Sequence, residues 1–157
     1  MNRLWKTAVC AAVVCAIGAG AAAQERDPGL AQYVGRMPDQ HFLALPAVHD
    51  PLAALMGDRL DAFLRRFQVV EPIDRVARDI VAQGCVRGQC AAEQAAFAID
   101  LDTGQAAAAS LTRGRYMNIY SKTTTSYDDL PPGLRRWISS RTSQSGHFKR
   151  MKFRFYK

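Results

Sequence analysis

The residue pair with the clearest chemistry is Cys85 and Cys90, which enclose Val86, Arg87, Gly88 and Gln89. A thioredoxin-like redox motif has two residues between its cysteines rather than four. Two thiolates alone do not complete a zinc site, and the 3 histidines of the chain show no zinc-like spacing. We therefore predict a Cys85–Cys90 disulfide, no metal site and no cofactor, because a close, even pair of cysteines in an oxidising compartment forms a disulfide.

The N-terminus predicts such a compartment, because it has the three parts of a secretory signal peptide. Arg3 and Lys6 form a positive n-region, Ala8 to Ile17 form an apolar h-region, and small residues lead up to Ala23. The apolar run is shorter than the roughly 20 residues that a membrane-spanning helix needs. We predict that residues 1–23 are a signal peptide cleaved after Ala23, that the chain is exported to the periplasm, and that residues 24–157 form a single domain.

The charge of the chain limits its partners. Lys and Arg number 21 against 14 Asp and Glu, which gives a formal net charge of +7 at pH 7. The predicted signal peptide removes only Arg3 and Lys6, so the folded part stays basic. Such a charge favours polyanions, lipid headgroups or acidic proteins as partners. We expect no nucleic acid partner for an exported protein.

No catalytic constellation is visible in the sequence. Asp102-Thr103-Gly104 matches the triplet of aspartic proteases, but those enzymes need two such loops, and a hairpin turn explains the triplet better. Nothing in the spacing of Glu71, Glu93 and Asp100 requires the two-carboxylate site of a glycosidase. The motifs of serine hydrolases, zinc proteases and phosphate-binding loops are missing from the sequence. We therefore predict a protein that is not an enzyme, with a small hydrolase as a minor alternative.

The elements that would position the cysteines predict an α+β domain. Asp50 and Pro51 suit the N-cap and first position of a helix, and apolar residues recur at three- and four-residue steps as far as Phe67. After Pro72 the pattern changes to short strands separated by turns, over 76–81, 95–101, 105–111 and 116–121. We predict an antiparallel sheet of about four to five strands, packed against this N-terminal amphipathic helix.

The C-terminal part predicts a short helix followed by a last strand. A capped helix from Asp128 to Ile138 would bury Leu134, Trp137 and Ile138. The segment 147–156 alternates strictly, which predicts that one face packs on the core through Met151, Phe153 and Phe155. The other face would present a basic ridge of Arg150, Lys152 and Arg154. Such a ridge protects an edge strand against aggregation, or binds an anionic component of the cell envelope.

These residues resemble a known family, the periplasmic inhibitors of vertebrate lysozyme called Ivy. The resemblance lies in Val81 to Cys90 and continues through Ala95 to Asp100. In that family the loop reads Cys-Lys-Pro-His-Asp-Cys, and its histidine enters the lysozyme cleft to engage the catalytic carboxylates. In this chain Gly88 stands at the position of that histidine. The resemblance implies an α+β inhibitor that acts through Val86 to Gln89, with Arg87 as the candidate replacement because a guanidinium bonds a carboxylate pair bidentately.

Charge separates this function from its alternative. Vertebrate lysozymes are typically basic, so a basic inhibitor approaches them slowly unless the local charge is reversed. The alternative is a basic module that binds anionic lipid or polysaccharide of the envelope through Arg150, Lys152 and Arg154. Binding by the ridge should collapse as ionic strength rises, whereas a loop buried in a cleft should lose only part of its affinity.

Overall fold

The computed structural model describes residues 29–123, 125–144 and 151–157. The predicted signal peptide and Arg150 of the predicted ridge lie outside the described residues. Among the helices that are described, none is both long enough and apolar enough to cross a membrane.

The described residues have an α+β fold built on one 7-stranded, mostly antiparallel sheet. The strands are β1 (Val69–Val70), β2 (Asp74–Val76), β3 (Asp79–Cys85), β4 (Gln94–Asp100), β5 (Ala106–Thr112), β6 (Tyr116–Ser121) and β7 (Lys152–Tyr156). They lie in the order β1-β3-β4-β5-β6-β7, with β2 also paired to β3. The predicted class is confirmed, and the predicted count of four to five strands is wrong.

A turn and two very short strands explain the extra strands, and the path of the chain through the last helix explains the one parallel pair. The predicted strand 76–81 is divided by a turn at Ala77, whose φ is +56°, so that β2 and β3 form a hairpin. β1 and β2 are too short to show an alternating pattern in the sequence. β7 pairs with β6 in parallel, because the intervening helix carries the chain back to the starting end of β6.

The helices are α1 (Gln40–Ala44), α2 (Pro46–Met56), α3 (Leu60–Leu64) and α4 (Pro132–Gln144), with 3₁₀ turns at Ala31–Tyr33 and Gly57–Arg59. The predicted continuous helix from Asp50 to Phe67 is therefore wrong. The helical segment begins earlier, at Pro46, so that Pro51 lies inside α2 rather than at its start. It is interrupted at Gly57, whose φ of +56° ends α2.

Helices cover both faces of the sheet. The first face packs on α1, α2 and α3 through a core that includes Phe42, Leu52, Phe63 and Phe97. The second packs on α4, where Leu134, Trp137 and Ile138 are buried as predicted. Met151 and Phe155 of the last strand segment join this second core, but Phe153, predicted to face the core, is 39% exposed because β7 is the outermost strand.

The candidate inhibitory loop and its supports

The predicted disulfide is present and closes the connection between β3 and β4, here called the cystine loop (Cys85 to Cys90). The Cα atoms of Cys85 and Cys90 lie 5.0 Å apart. Val86 is partly buried, whereas Arg87, Gly88 and Gln89 are exposed. The N–H of Gln89 donates to the carbonyl of Val86 at 2.9 Å, and Gly88 has a φ of +75°. The cystine loop is thus a tight turn that projects from one end of the sheet.

Glu93 fixes the base of the cystine loop to two other elements. Its carbonyl accepts from the N–H of Val86 at 3.0 Å. One carboxylate oxygen accepts from the guanidinium of Arg66, after α3, at 2.9 Å, and the other accepts from the N–H of Arg113 at 2.9 Å. The side chains of Arg66 and Glu93 are only 17% and 19% exposed, so this pair is shielded from solvent.

Gln68 supports the other side of the loop. Its side-chain oxygen accepts from the N–H of Arg87 at 3.2 Å, and its own N–H donates to the carbonyl of Cys85 at 3.3 Å. Gly84 lets this segment approach closely, since a Cβ atom there would lie 2.9 Å from the Cα of Phe67. The backbone of the cystine loop is therefore held by the disulfide, Glu93 and Gln68 together.

The side chain of Arg87, unlike that of Arg66 at the base of the loop, is not engaged by a carboxylate of the described residues. It forms no hydrogen bond or ion pair with any residue that the structure describes. Its guanidinium presents five N–H donors in a plane, which suits a carboxylate pair. Gly88 adds no side chain beside it, so Arg87 is the charged group within the loop.

The three carboxylates considered for a glycosidase site do not come together. Each forms a salt bridge with a different arginine: Glu71 with Arg141 (3.6 Å), Glu93 with Arg66 (2.9 Å) and Asp100 with Arg78 (2.7 Å). Asp100 also lies at the opposite end of the sheet, where one of its oxygens accepts from the N–H groups of Asp102 and Thr103 at 2.8 and 3.0 Å. The Asp102-Thr103-Gly104 triplet is thus part of the β4–β5 hairpin turn, as predicted.

That opposite end also holds a buried pair of acids. Asp79 and Asp100 are directly paired across β3 and β4, and they are only 4% and 9% exposed. Burial, and then the nearby charge of Asp100, raises the pKa of the Asp79 carboxyl above its ordinary value.

The predicted basic ridge is described at two of its three positions. Lys152 and Arg154 are both exposed on β7. The guanidinium carbon of Arg154 lies 4.5 Å from the centre of the Tyr116 ring, within range of a cation–π interaction. The N–H of Lys152 donates to the carbonyl of Arg115 at 2.9 Å, which places the start of β7 beside the β5–β6 turn.

The family assignment rests on residues 47–144, which match the family model described as "Inhibitor of vertebrate lysozyme (Ivy)". The chain belongs to the Ivy family. The match begins in α2, ends with α4 and includes the whole cystine loop, so the resemblance seen in the sequence is confirmed. Comparisons with curated proteins and with solved structures gave no match.

The residues that support the cystine loop were not found from the sequence. Arg66 and Glu93 are 27 residues apart, and only the packing of α3 against the sheet brings them together. The sequence does place Glu93 near the base of the loop, because Glu93 lies between Cys90 and the start of β4, which pairs with β5. For Gln68 the sequence offers no comparable signal.

Proposed function

We propose that this protein is exported to the periplasm and inhibits a lysozyme-type glycosidase by inserting the cystine loop into the active-site cleft. Membership of the Ivy family supports the class of target. The observation that carries the proposal is the combination of an exposed turn and a fixed backbone at Arg87 to Gln89. A rigid loop loses little conformational entropy when it docks, so more of its contact energy appears as affinity.

Arg87 is the residue that we assign to the catalytic carboxylates of the target. Glycosidases of this type hold two carboxyl groups on either side of the scissile bond. A guanidinium forms two parallel charge-assisted hydrogen bonds with such groups, and Arg87 has no competing partner among the described residues. In this way Arg87 would replace the histidine that the family carries at the position of Gly88.

The test is a titration of the mature protein, residues 24–157, into a c-type lysozyme acting on cell walls. We expect inhibition by the wild type and a loss of about 30-fold in Arg87→Ala, the size of an interface hot spot of about 2 kcal/mol. Arg75→Ala is the matched control, because Arg75 is an exposed arginine on β2, away from the cystine loop. An absence of inhibition by the wild type at micromolar excess, both of this lysozyme and of a lysozyme-type glycosidase with an acidic surface, would remove the proposal.

A second candidate function is binding to an anionic component of the envelope through the basic ridge. It is favoured by the exposure of Lys152 and Arg154, neither of which forms a salt bridge with a described carboxylate. Vesicles that contain phosphatidylglycerol provide the test. Binding that disappears in Lys152→Gln/Arg154→Gln and at high ionic strength would support this function.

A further inference from the structure

Three segments of the chain meet at the end of the sheet that carries the cystine loop. The N–H of Gly114, in the β5–β6 turn, donates to the carbonyl of Ala92 at 3.0 Å. The N–H of Lys152, at the start of β7, donates to the carbonyl of Arg115 at 2.9 Å. Because both contacts join backbone atoms, the loop, the turn and the start of β7 hold fixed positions relative to one another. Their exposed cations form what we call the cationic rim: Arg87, Arg113, Arg115 and Lys152.

The charge of the cationic rim is not neutralised by carboxylates that the structure describes. None of its four residues takes part in a salt bridge within the described part of the chain. Glu93, the carboxylate at the base of the loop, already accepts from Arg66 and from the backbone N–H of Arg113. The rim therefore presents positive charge around Arg87.

The opposite end of the sheet carries charges of both signs. The β4–β5 turn, the start of β3 and the segment after β6 bring several carboxylates to that end: Asp79, Asp100, Asp102, Asp128 and Asp129. Arg75, Arg78 and Lys122 are basic residues at the same end, and Arg78 pairs with Asp100. The rim cations thus face no described carboxylate, whereas the cations of the far end lie among carboxylates. Such a distribution orients the molecule in the field of a partner, which net charge alone does not do.

We infer that the partner of the cystine loop is a glycosidase whose cleft is bordered by carboxylates, rather than a lysozyme with a basic surface. The inference rests on the proposed function and specifies the class of target. A cleft bordered by negative charge attracts the rim and turns the protein with Arg87 leading, which raises the association rate by about 10-fold or more at low ionic strength. A basic border would repel the same residues.

The test compares one enzyme in two charge states. The probes are a c-type lysozyme of net positive charge and the same lysozyme after its lysines have been succinylated, which reverses the surface charge and leaves the cleft carboxylates in place. Association rates are measured at low ionic strength and at about 0.15 M salt, where the Debye length is about 8 Å. The proteins are the mature wild type, a rim variant Arg113→Gln/Arg115→Gln, and a far-end control Arg75→Gln/Lys122→Gln. Both variants lose the same charge and keep Arg87.

We expect the wild type to associate at least about 10-fold faster with the succinylated enzyme at low salt. The rim variant should lose most of this advantage, the far-end control should keep most of it, and added salt should reduce it for all three proteins. Equal losses in the two variants, or equal rates with both enzyme forms, would overturn the inference and leave the proposed function standing. No binding to either form would overturn both.

The same variants decide whether the rim faces the envelope instead. Binding to phosphatidylglycerol vesicles is measured for the wild type and the rim variant. Loss of vesicle binding in the rim variant, together with an unchanged rate on the succinylated enzyme, would overturn the inference in favour of an anionic surface. Slower association of the rim variant with the succinylated enzyme, with or without an effect on vesicle binding, supports the inference.

Discussion

The two ends of the sheet use carboxylates in the same way and differ in what they leave exposed. At the far end, Asp100 accepts from two N–H groups of the β4–β5 turn and pairs with Arg78. At the loop end, Glu93 accepts from the N–H of Arg113 and pairs with Arg66. In both places a carboxylate holds a turn. The loop end adds a disulfide, and beside it the exposed side chain of Arg87 has no partner among the described residues. The comparison separates groups that stabilise the fold from a group that is available for binding.

The largest effect should come from removing the disulfide. Cys85→Ala/Cys90→Ala should destabilise the protein by about 2 kcal/mol, the loop-closure entropy expected for so short a loop, as measured by urea unfolding. Inhibition should fall with it, because the exposed turn loses its rigidity. A change in the β4–β5 turn at the opposite end of the sheet, Thr103→Ala, should leave inhibition unaltered. If the cysteine-free protein inhibits as well as the wild type, the cystine loop does not need to be rigid.

The next effect should come from the support at the base of the loop. Glu93→Ala leaves the poorly exposed guanidinium of Arg66 without its carboxylate and the N–H of Arg113 without its acceptor. We expect a loss of about 1.5 kcal/mol in urea unfolding and a weaker inhibitor. Asp58→Ala, at an exposed position of the 3₁₀ turn, is the control and should change stability by less than about 0.5 kcal/mol. Equal stability of the two variants would show that Glu93 is not a support.

Placing the histidine of the family at position 88 should lower the stability of the protein and improve its binding to the target. A Cβ atom at Gly88 meets no atom within 4 Å, but the φ of +75° is unfavourable for a residue with a side chain. Gly88→His should therefore destabilise the protein by about 1 kcal/mol while it strengthens inhibition. Gly88→Ala has the same backbone cost and is the control for the imidazole. Equal inhibition by the two variants would mean that the position does not contact the target.

The smallest effect concerns the far end. The raised pKa of Asp79 means that the folded state binds a proton more tightly than the unfolded state. Stability attributable to Asp79 therefore increases as the pH falls from neutral through the raised pKa toward the ordinary aspartate value. Asp79→Asn should stabilise the protein at neutral pH by less than about 1 kcal/mol, and this gain should shrink in acid. Thermal unfolding as a function of pH measures it, and a gain that does not change with pH would contradict the assignment. Inhibition should be unaffected.

The elements fixed by local signals could be predicted from the sequence. The turns at Asp102 to Gly104 and at Arg113-Gly114 delimit β4, β5 and β6, and the spacing of Cys85 and Cys90 predicts the disulfide. The α2 region was misplaced because Asp50-Pro51 has the composition of a helix start. In the structure Pro46 takes that position, and Pro51 is tolerated inside the helix.

The candidate site was predictable only in part, for a physical reason. Its exposed residues belong to one short segment, so their types and spacing can be read directly. The contacts that hold this segment come from other elements: Gln68 lies 19 residues before Arg87, and Arg66 lies 27 residues before Glu93. The parallel pairing of β7, which brings Lys152 beside Arg115, likewise depends on where α4 packs. Such contacts follow from the tertiary fold and leave no local pattern.

The most direct test of the central claim is amide hydrogen exchange of the mature protein with and without a lysozyme-type enzyme that it inhibits. We expect slower exchange at the amides of Arg87 to Gln89 and of Arg113 to Arg115 in the complex. Exchange in the far turn, Asp102 to Gly104, should not change. Protection of the β4–β5 turn, or of β7 alone, with no change in the cystine loop would contradict binding through the cystine loop.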